Sequence, residues 1–483
     1  MKINPWFLFT SALLVALVLP SLIQDGMFMD GMLYTSVSHN LALGKGTFWY
    51  PEFSQTSMTF FHEQPPLVFG IQSLFFRLLG DSMYVERFYS FLCTIINGLL
   101  IAAVWKQFHR ESESKNLGWL PVISWIIMPV TFWACANNMQ ENTMSIFVLL
   151  ATLFLLKGIT AEPERKKLLF YFPAAGVFLV LAALSKGFPG LFPLAVIPLH
   201  WFFFRRFSFG KAIVYSLIPL VTVFAVFAFL LSSDHIYNSL HAYLFDRVVN
   251  SIQHVSTQGN RFHLLSELVQ NLLPVLALVV GIVFAGRRYS AELFSSETKK
   301  QTFFFLGCGL AGALPLMVTL EQRGFYLVTA LPFFAFAFAS LAAPALKTAL
   351  DKWPQESKSF KTFRWISLSL LIGAIAFSAT QTGKTRRDQE LLADVYRFGA
   401  VIPRDSKISI DPRMWNDWAL QTYMMRYFSI HLDQFEQQHF LLLDKSLGQK
   451  PPAGYSPVFT GTKKYDLYED VTEHPSGSGD GVD

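Results

Sequence analysis

The chain has 483 residues, 52% hydrophobic and only 15% charged, with a formal net charge of +5, against about a quarter charged in ordinary soluble domains. So few charges cannot coat a soluble globule of this size. Their arrangement between long apolar blocks also excludes a disordered chain, a disulfide scaffold and a β-barrel porin, whose strands would alternate in short segments. The composition implies an all-α polytopic membrane protein.

Runs approaching the roughly 20 apolar residues that cross a bilayer as helix fall at 6–23, 87–105, 117–136, 143–156, 168–184, 187–204, 212–231, 268–285, 302–319, 325–344 and 365–380. That predicts about eleven transmembrane helices. The first follows Lys2, and Leu19-Pro20-Ser21-Leu22-Ile23 offers no small-x-small cleavage site, which predicts an uncleaved anchor. Residues 24–86 then form a long first outer loop. Within it Leu67–Leu79 is apolar but only 13 residues long, too short to cross. It reads as an interfacial helix entered through Pro65-Pro66 and stopped at Gly80.

With the N-terminus inside, the inner segments hold 20 Lys and Arg residues and the outer loops seven. This obeys the positive-inside rule in one orientation only, and predicts a multi-pass protein of the inner (plasma) membrane. The division is a transmembrane domain at 1–383 and a small soluble α/β domain at 384–483 on the outer, periplasmic side. Short strands are predicted at Lys407–Ile410, His439–Leu443 and Tyr465–Tyr468, and a helix at Asn416–Arg426. A Gly/Ser tail from about residue 475 reads as disordered. Cys93, Cys135 and Cys308 lie in apolar runs and read as small buried hydrophobes.

Ionisable groups at the outer membrane face are costly unless they pair or work. The first outer loop carries Asp25, Asp30, Tyr34, His39, Lys45, Glu52, His62 and Glu63. Asn137, Asn138, Gln140 and Glu141 follow in the second, Lys186-Gly187 form the third, and Asp246, Arg247, Arg261, His263 and Glu267 lie in the fourth. Glu321, Arg323 and Tyr326 flank a further outer turn. Carboxylates beside Lys and Arg suit group transfer from a phosphate-bearing substrate, one taking a proton from an attacking hydroxyl while cations stabilise the departing phosphate. A substrate delivered within the membrane would itself be a lipid.

Asp30-Gly31-Met32-Leu33-Tyr34, Leu41-Ala42-Leu43-Gly44, Phe48-Trp49-Tyr50-Pro51 and His62-Glu63-Gln64-Pro65-Pro66-Leu67 resemble the first outer loop of GT-C type glycosyltransferases. The branch is that of protein O-mannosyltransferases and lipid A aminoarabinose transferases. Asn137–Asn142, Leu184–Gly190, and Arg323–Leu327 ahead of Leu331-Pro332 extend the likeness in order over about residues 1–345. The resemblance implies an inverting transfer from a polyprenyl-phosphate sugar to a glycan, lipid or protein acceptor, with Asp30 as general base and Lys186 near the lipid phosphate. Two departures bear on sugar identity: Gly31 stands where the family commonly has Glu, and Gln64 stands where Lys is frequent.

Each residue also has a plainer reading. Asp30 could cap a helix beginning at Gly31. Glu141, the candidate second catalytic acid, could be a helix N-terminal charge. Lys186 could snorkel. Tyr34, Trp49, Glu63, Gln64, Arg247, Arg261, His263, Arg323 and Tyr326 are the substrate-binding candidates, set against interface anchors or exposed loop residues. His62 and Glu63 read as a solvated pair or as ligands of a divalent metal, for which two residues are too few to specify an ion. The Lys384–Arg387 cluster reads as a headgroup-contacting junction. A lipid-linked-sugar flippase or transporter, or an oligosaccharide polymerase, would share the membrane architecture, but transporters place their ionisable groups at mid-membrane.

Overall fold

The computed structural model describes residues 4–161, 165–249, 262–286, 295–319 and 321–472. Among these, nine helices are long and apolar enough to cross a membrane: Pro5–Ile23, Tyr84–Phe108, Gln140–Thr160, Lys166–Lys186, Phe209–Leu231, His263–Ala285, Ser296–Val318, Leu331–Asp351 and Lys358–Ala379. Each coincides with an expected span. The expected tail lies outside the described residues.

The two remaining expected spans are not simple helices. The apolar run at 117–136 divides into Trp119–Ile126 and Pro129–Cys135, the halves bent by 86°. Met128 is extended, as a residue before proline tends to be, and the freed amide of Val130 donates to Asn271 Oδ1 at 2.7 Å. The run at 187–204 opens with Gly187 at φ 96° and proceeds as a 3₁₀ helix, Phe188–Ala195, before Val196–Phe204. Pro189 and Pro193 account for the irregular start. Irregular backbone at membrane depth survives where it lines a cavity or is buried in protein; the second segment lines a cavity described below, and the first is largely buried.

In the long loop after the first span, Leu67–Leu79 is a helix with Gly80 at its C-cap. A second helix, Met29–Ala42, runs against it. Its residues Met32, Tyr34, Val37 and Leu41 are buried, with Ser38 Oγ donating to Gln72 Oε1 at 3.0 Å.

The C-terminal domain is a five-stranded sheet made of β1 (Lys407–Ile410), β2 (His431–Asp433), β3 (Phe440–Asp444), β4 (Tyr455–Pro457) and β5 (Tyr465–Asp470), in the order β2-β1-β3-β5-β4. β1 pairs in parallel with β2 and β3, while β5 runs antiparallel to β3 and β4. The strands β1, β3 and β5 stand where the alternation put them; β2 and β4 are three residues each, too short to show a period.

This domain shares its core with the first loop. Met27 and Met32 pack among Ile408, Ile410, Leu432, Leu442 and Leu467. Helix Trp418–Phe428 lies on Met29–Ala42. Tyr423 Oη accepts from the Met27 amide at 3.0 Å and donates to Asp388 Oδ2 at 2.8 Å. Arg426, 2% exposed, pairs with Glu86, fully buried, at 2.9 Å, and with Asp81 at 3.0 Å. Asp25 accepts from Tyr396 Oη at 2.6 Å and Tyr427 Oη at 2.7 Å. In the basic junction two side chains reach protein partners: Arg386 donates to Asn137 Oδ1 at 2.9 Å and Arg387 lies over the Phe28 ring at 5.5 Å, while Lys384 is exposed.

Candidate active site

Asp30 stands in the first turn of Met29–Ala42, where Phe28 rather than Asp30 holds the N-cap position. The capping reading therefore does not describe it. Its helix is fixed at the start by Asn137, whose Oδ1 accepts from the Phe28 amide at 3.0 Å, while Asn138 Nδ2 donates to Thr35 Oγ1 at 2.9 Å. The bent segment Pro129–Cys135 delivers these asparagines, and Asn138 takes the left-handed φ of 49° to do so.

The close approach explains Gly31. A Cβ there would lie 1.9 Å from the Asn137 carbonyl oxygen, so the second carboxylate common in the resembling family has no room. Gly31→Glu is expected to cost about 1–3 kcal/mol or more by overpacking and to lower turnover by tilting the Asp30 helix, measurable as earlier melting of the purified protein.

Asp30, Leu33 and Tyr34 line a cavity of about 360 Å³ together with Phe28, Phe61, Glu63, Gln64, Lys186, Arg247, Glu321, Arg323, Tyr326, Trp418 and Thr422. Beside it lies a second cavity of about 510 Å³ that shares Glu63, Gln64, Lys186, Arg247, Glu321 and Tyr326 and adds Glu141. Its other walls are apolar: Phe188, Leu191, Phe192, Pro315 and Leu316. A third hollow of about 480 Å³, lined by Leu184, Leu220, Phe224 and Phe227 among others, adjoins it through Phe188, Leu191 and Tyr243.

Lys186 ends its span with the ammonium inside the protein, 2.8 Å from Tyr34 Oη and 3.3 Å from Glu141 Oε1. Snorkelling to the surface does not describe it, since it is only 9% exposed. Gly187 after it permits the approach of Tyr243, whose hydroxyl would lie 2.2 Å from a Cβ at that position.

Arg247 bridges two carboxylates, pairing with Glu63 and, at 3.3 Å, with Glu321; Tyr326 Oη donates to Glu321 at 2.9 Å. It sits on a π-helical segment, Ala242–Val249, that also carries Tyr243. Burial raises the Asp30 carboxyl above the ordinary aspartate range despite the opposing Lys186, Arg323 and Arg247 charges. The Glu63 carboxyl is likewise raised by burial against Arg247. Burial, then the Asp30 and Glu141 charges, push the Tyr34 phenol well up, keeping it a neutral hydroxyl.

The remaining candidates lie elsewhere. Trp49 packs with Leu67 and Leu240, and its carbonyl accepts from Ser239 Oγ at 2.6 Å, fastening the loop without lining either polar cavity. His263 begins a span outside both linings, and Arg261 lies outside the described residues. His62 meets the Tyr50 ring edge-on at 5.2 Å while Glu63 turns to Arg247. Among the described residues no three His, Cys, Asp or Glu side chains group to hold a metal ion. Trp418, Thr422 and Tyr243 are wall residues that the sequence did not single out; a residue of a water-soluble segment gives no local sign that it closes a membrane-face cavity.

Residues 63–244 match the family model described as dolichyl-phosphate-mannose-protein mannosyltransferase. No curated protein matches the chain's sequence. Among solved structures, ArnT from Cupriavidus metallidurans bound to undecaprenyl phosphate is similar at TM-score 0.67 and 13% identity, covering 96% of this chain and 98% of that one; its apo state is similar at 0.66. The archaeal oligosaccharyltransferase AglB from Archaeoglobus fulgidus, in complex with an inhibitory peptide and a dolichol-phosphate, is similar at TM-score 0.50 and 12% identity, covering 96% of this chain and 74% of that one. At these identities the structures establish the fold, and the family match adds kinship over the segment that holds Glu63, Glu141 and Lys186. The chain therefore has the fold of these structures, and over residues 63–244 it is similar to the dolichyl-phosphate-mannose-protein mannosyltransferase family.

Proposed function

We propose that the protein transfers one sugar from a polyprenyl-phosphate donor to an acceptor hydroxyl at the outer face of the inner (plasma) membrane, with inversion at the anomeric carbon. The observation that carries this reading is the composition of the 510 Å³ cavity, which joins a cluster of acids and bases to apolar walls in one space. A lipid carrying a phosphate needs both, an apolar channel for the chain and cations for the head. Lys186 and Arg247 line both this cavity and the 360 Å³ cavity that holds Asp30.

Asp30 accepts the proton of the acceptor hydroxyl as its oxygen bonds to the anomeric carbon, and the bond from that carbon to the phosphate oxygen breaks on the opposite side. The leaving phosphate gains a negative charge, which Lys186, Arg247 and Arg323 offset. Glu141 holds the Lys186 ammonium in place, and Glu63 and Glu321 do the same for Arg247. The orientation with the N-terminus inside, and the division into domains at 1–383 and 384–483, follow from the charge asymmetry and the change of composition.

The test is a vesicle-reconstituted assay with a labelled polyprenyl-phosphate hexose. Free polyprenyl phosphate together with a glycosylated product supports the reading; translocation of the uncleaved donor supports a flippase instead. The double variant Lys186→Met, Glu141→Gln, which avoids stranding a buried charge, is expected to weaken undecaprenyl phosphate binding by about 10–100-fold, the worth of a charge-assisted contact. Undiminished binding would make Lys186 a packing residue.

A further inference from the structure

We propose that the C-terminal domain completes the acceptor subsite, and that Trp418 there recognises a saccharide, so that the attacking hydroxyl belongs to a sugar. This rests on the glycosyltransfer reading above. The 360 Å³ cavity has the size of a small-molecule site, within the roughly 300–1,000 Å³ common for such pockets. Around Asp30 and Arg323 its wall presents the rings of Phe28, Phe61, Phe325 and Trp418. Neither the Asp30 carboxylate nor the Arg323 guanidinium forms a hydrogen bond or ion pair among the described residues.

A pyranose has two kinds of surface, an apolar face of C–H groups and a rim of hydroxyls. Aromatic rings bury the first, while a carboxylate and a guanidinium bind the second. Beyond the rings the wall adds Gln64, Tyr326 and Thr422, whose side chains can meet the remaining hydroxyls of the rim.

Trp418 is held as a recognition residue must be. It opens helix Trp418–Phe428 immediately after the N-cap Asp417, whose Oδ1 accepts from the Leu420 amide at 3.1 Å. Asp417 Oδ2 takes the Lys464 ammonium at 2.9 Å and the Tyr465 hydroxyl, which tie the helix start to β5. From the loop side, Ser36 Oγ donates to the Thr422 carbonyl at 3.3 Å, and the Phe53 ring packs at 6.5 Å from the indole. Trp418 is thus held from the domain side and the loop side, on the wall of the cavity that it shares with Asp30.

Saturation-transfer NMR on the full-length protein in nanodiscs tests the assignment, with methyl α-D-mannopyranoside, methyl β-D-glucopyranoside and a Ser/Thr-rich decapeptide as probes and undecaprenyl phosphate as the donor-side report. At least one glycoside is expected to bind, with affinity about tenfold lower in Trp418→Ala and largely retained in Trp418→Phe. Trp418→Leu keeps apolar volume without a ring and should also lose the glycoside, which covers the case of an Ala variant that fails to fold. Binding of the peptide alone, or glycoside binding indifferent to all three substitutions, overturns the proposal. If undecaprenyl phosphate binds and no glycoside does, the subsite falls alone; if undecaprenyl phosphate fails to bind while the Trp418-dependent glycoside signal persists, the donor reading falls and the saccharide site stands.

Discussion

Replacement of Asp30 by Asn is expected to lower turnover by about 10²–10⁴-fold, the usual worth of a positioned base, with undecaprenyl phosphate binding little changed. The amide keeps the shape and cannot accept the acceptor's proton. The pH dependence gives a second signature. Because burial raises the Asp30 carboxyl, the fraction able to act as base declines as pH falls through a value above the ordinary aspartate figure of about 3.9. The acid limb of the kcat/KM profile therefore belongs above that figure, and it should vanish from the residual activity of Asp30→Asn. Unchanged turnover in the variant, with the acid limb intact, would remove Asp30 from the reaction.

The largest effect on stability is expected at Arg426. Truncation to Ala leaves Glu86 charged and fully buried beside Arg87, 3.3 Å away, and takes two bonds from the Asp81 and Ser82 carbonyls, at 3.1 and 3.2 Å. Removing one partner of a buried pair typically costs about 3–5 kcal/mol. Limited proteolysis of the detergent-solubilised variant should show the C-terminal domain cut first, ahead of the bundle. The paired change Arg426→Met, Glu86→Leu strands no charge and should recover most of the loss. If Arg426→Ala resists protease as the wild type does, the network is not what seats the domain. Turnover should fall with docking, since helix Trp418–Phe428 supports the helix that carries Asp30.

The spans were legible because a bilayer imposes length and apolarity on each segment independently, and nine of the expected runs are helices of that kind. The short helix Leu67–Leu79 was legible for the same reason in reverse, with Pro66 and Gly80 as its limits. Apolar length carries no record of shape, so the 86° bend before Pro129 and the 3₁₀ start at Gly187 were read through as straight spans. Around the site, Asp30 and Lys186 were singled out by motif, and both stand on the wall of one cavity. Glu321 as a partner of Arg247, Tyr243 against Gly187 and Trp418 beside Asp30 depend on contacts between distant segments, which no local pattern encodes. The reason for Gly31 was equally hidden, since it lies in a carbonyl oxygen 106 positions away in the sequence.

The bond between Met27 and Tyr423 joins residues 396 positions apart, and it has a consequence for how the protein is made. During synthesis the Asp30 helix emerges well before the surface it leans on. Contacts so distant in sequence form late, so the nascent chain holds an unsupported Asp30 until helix Trp418–Phe428 has also left the ribosome and folded. A chain folded only as far as its membrane bundle therefore lacks the assembled site.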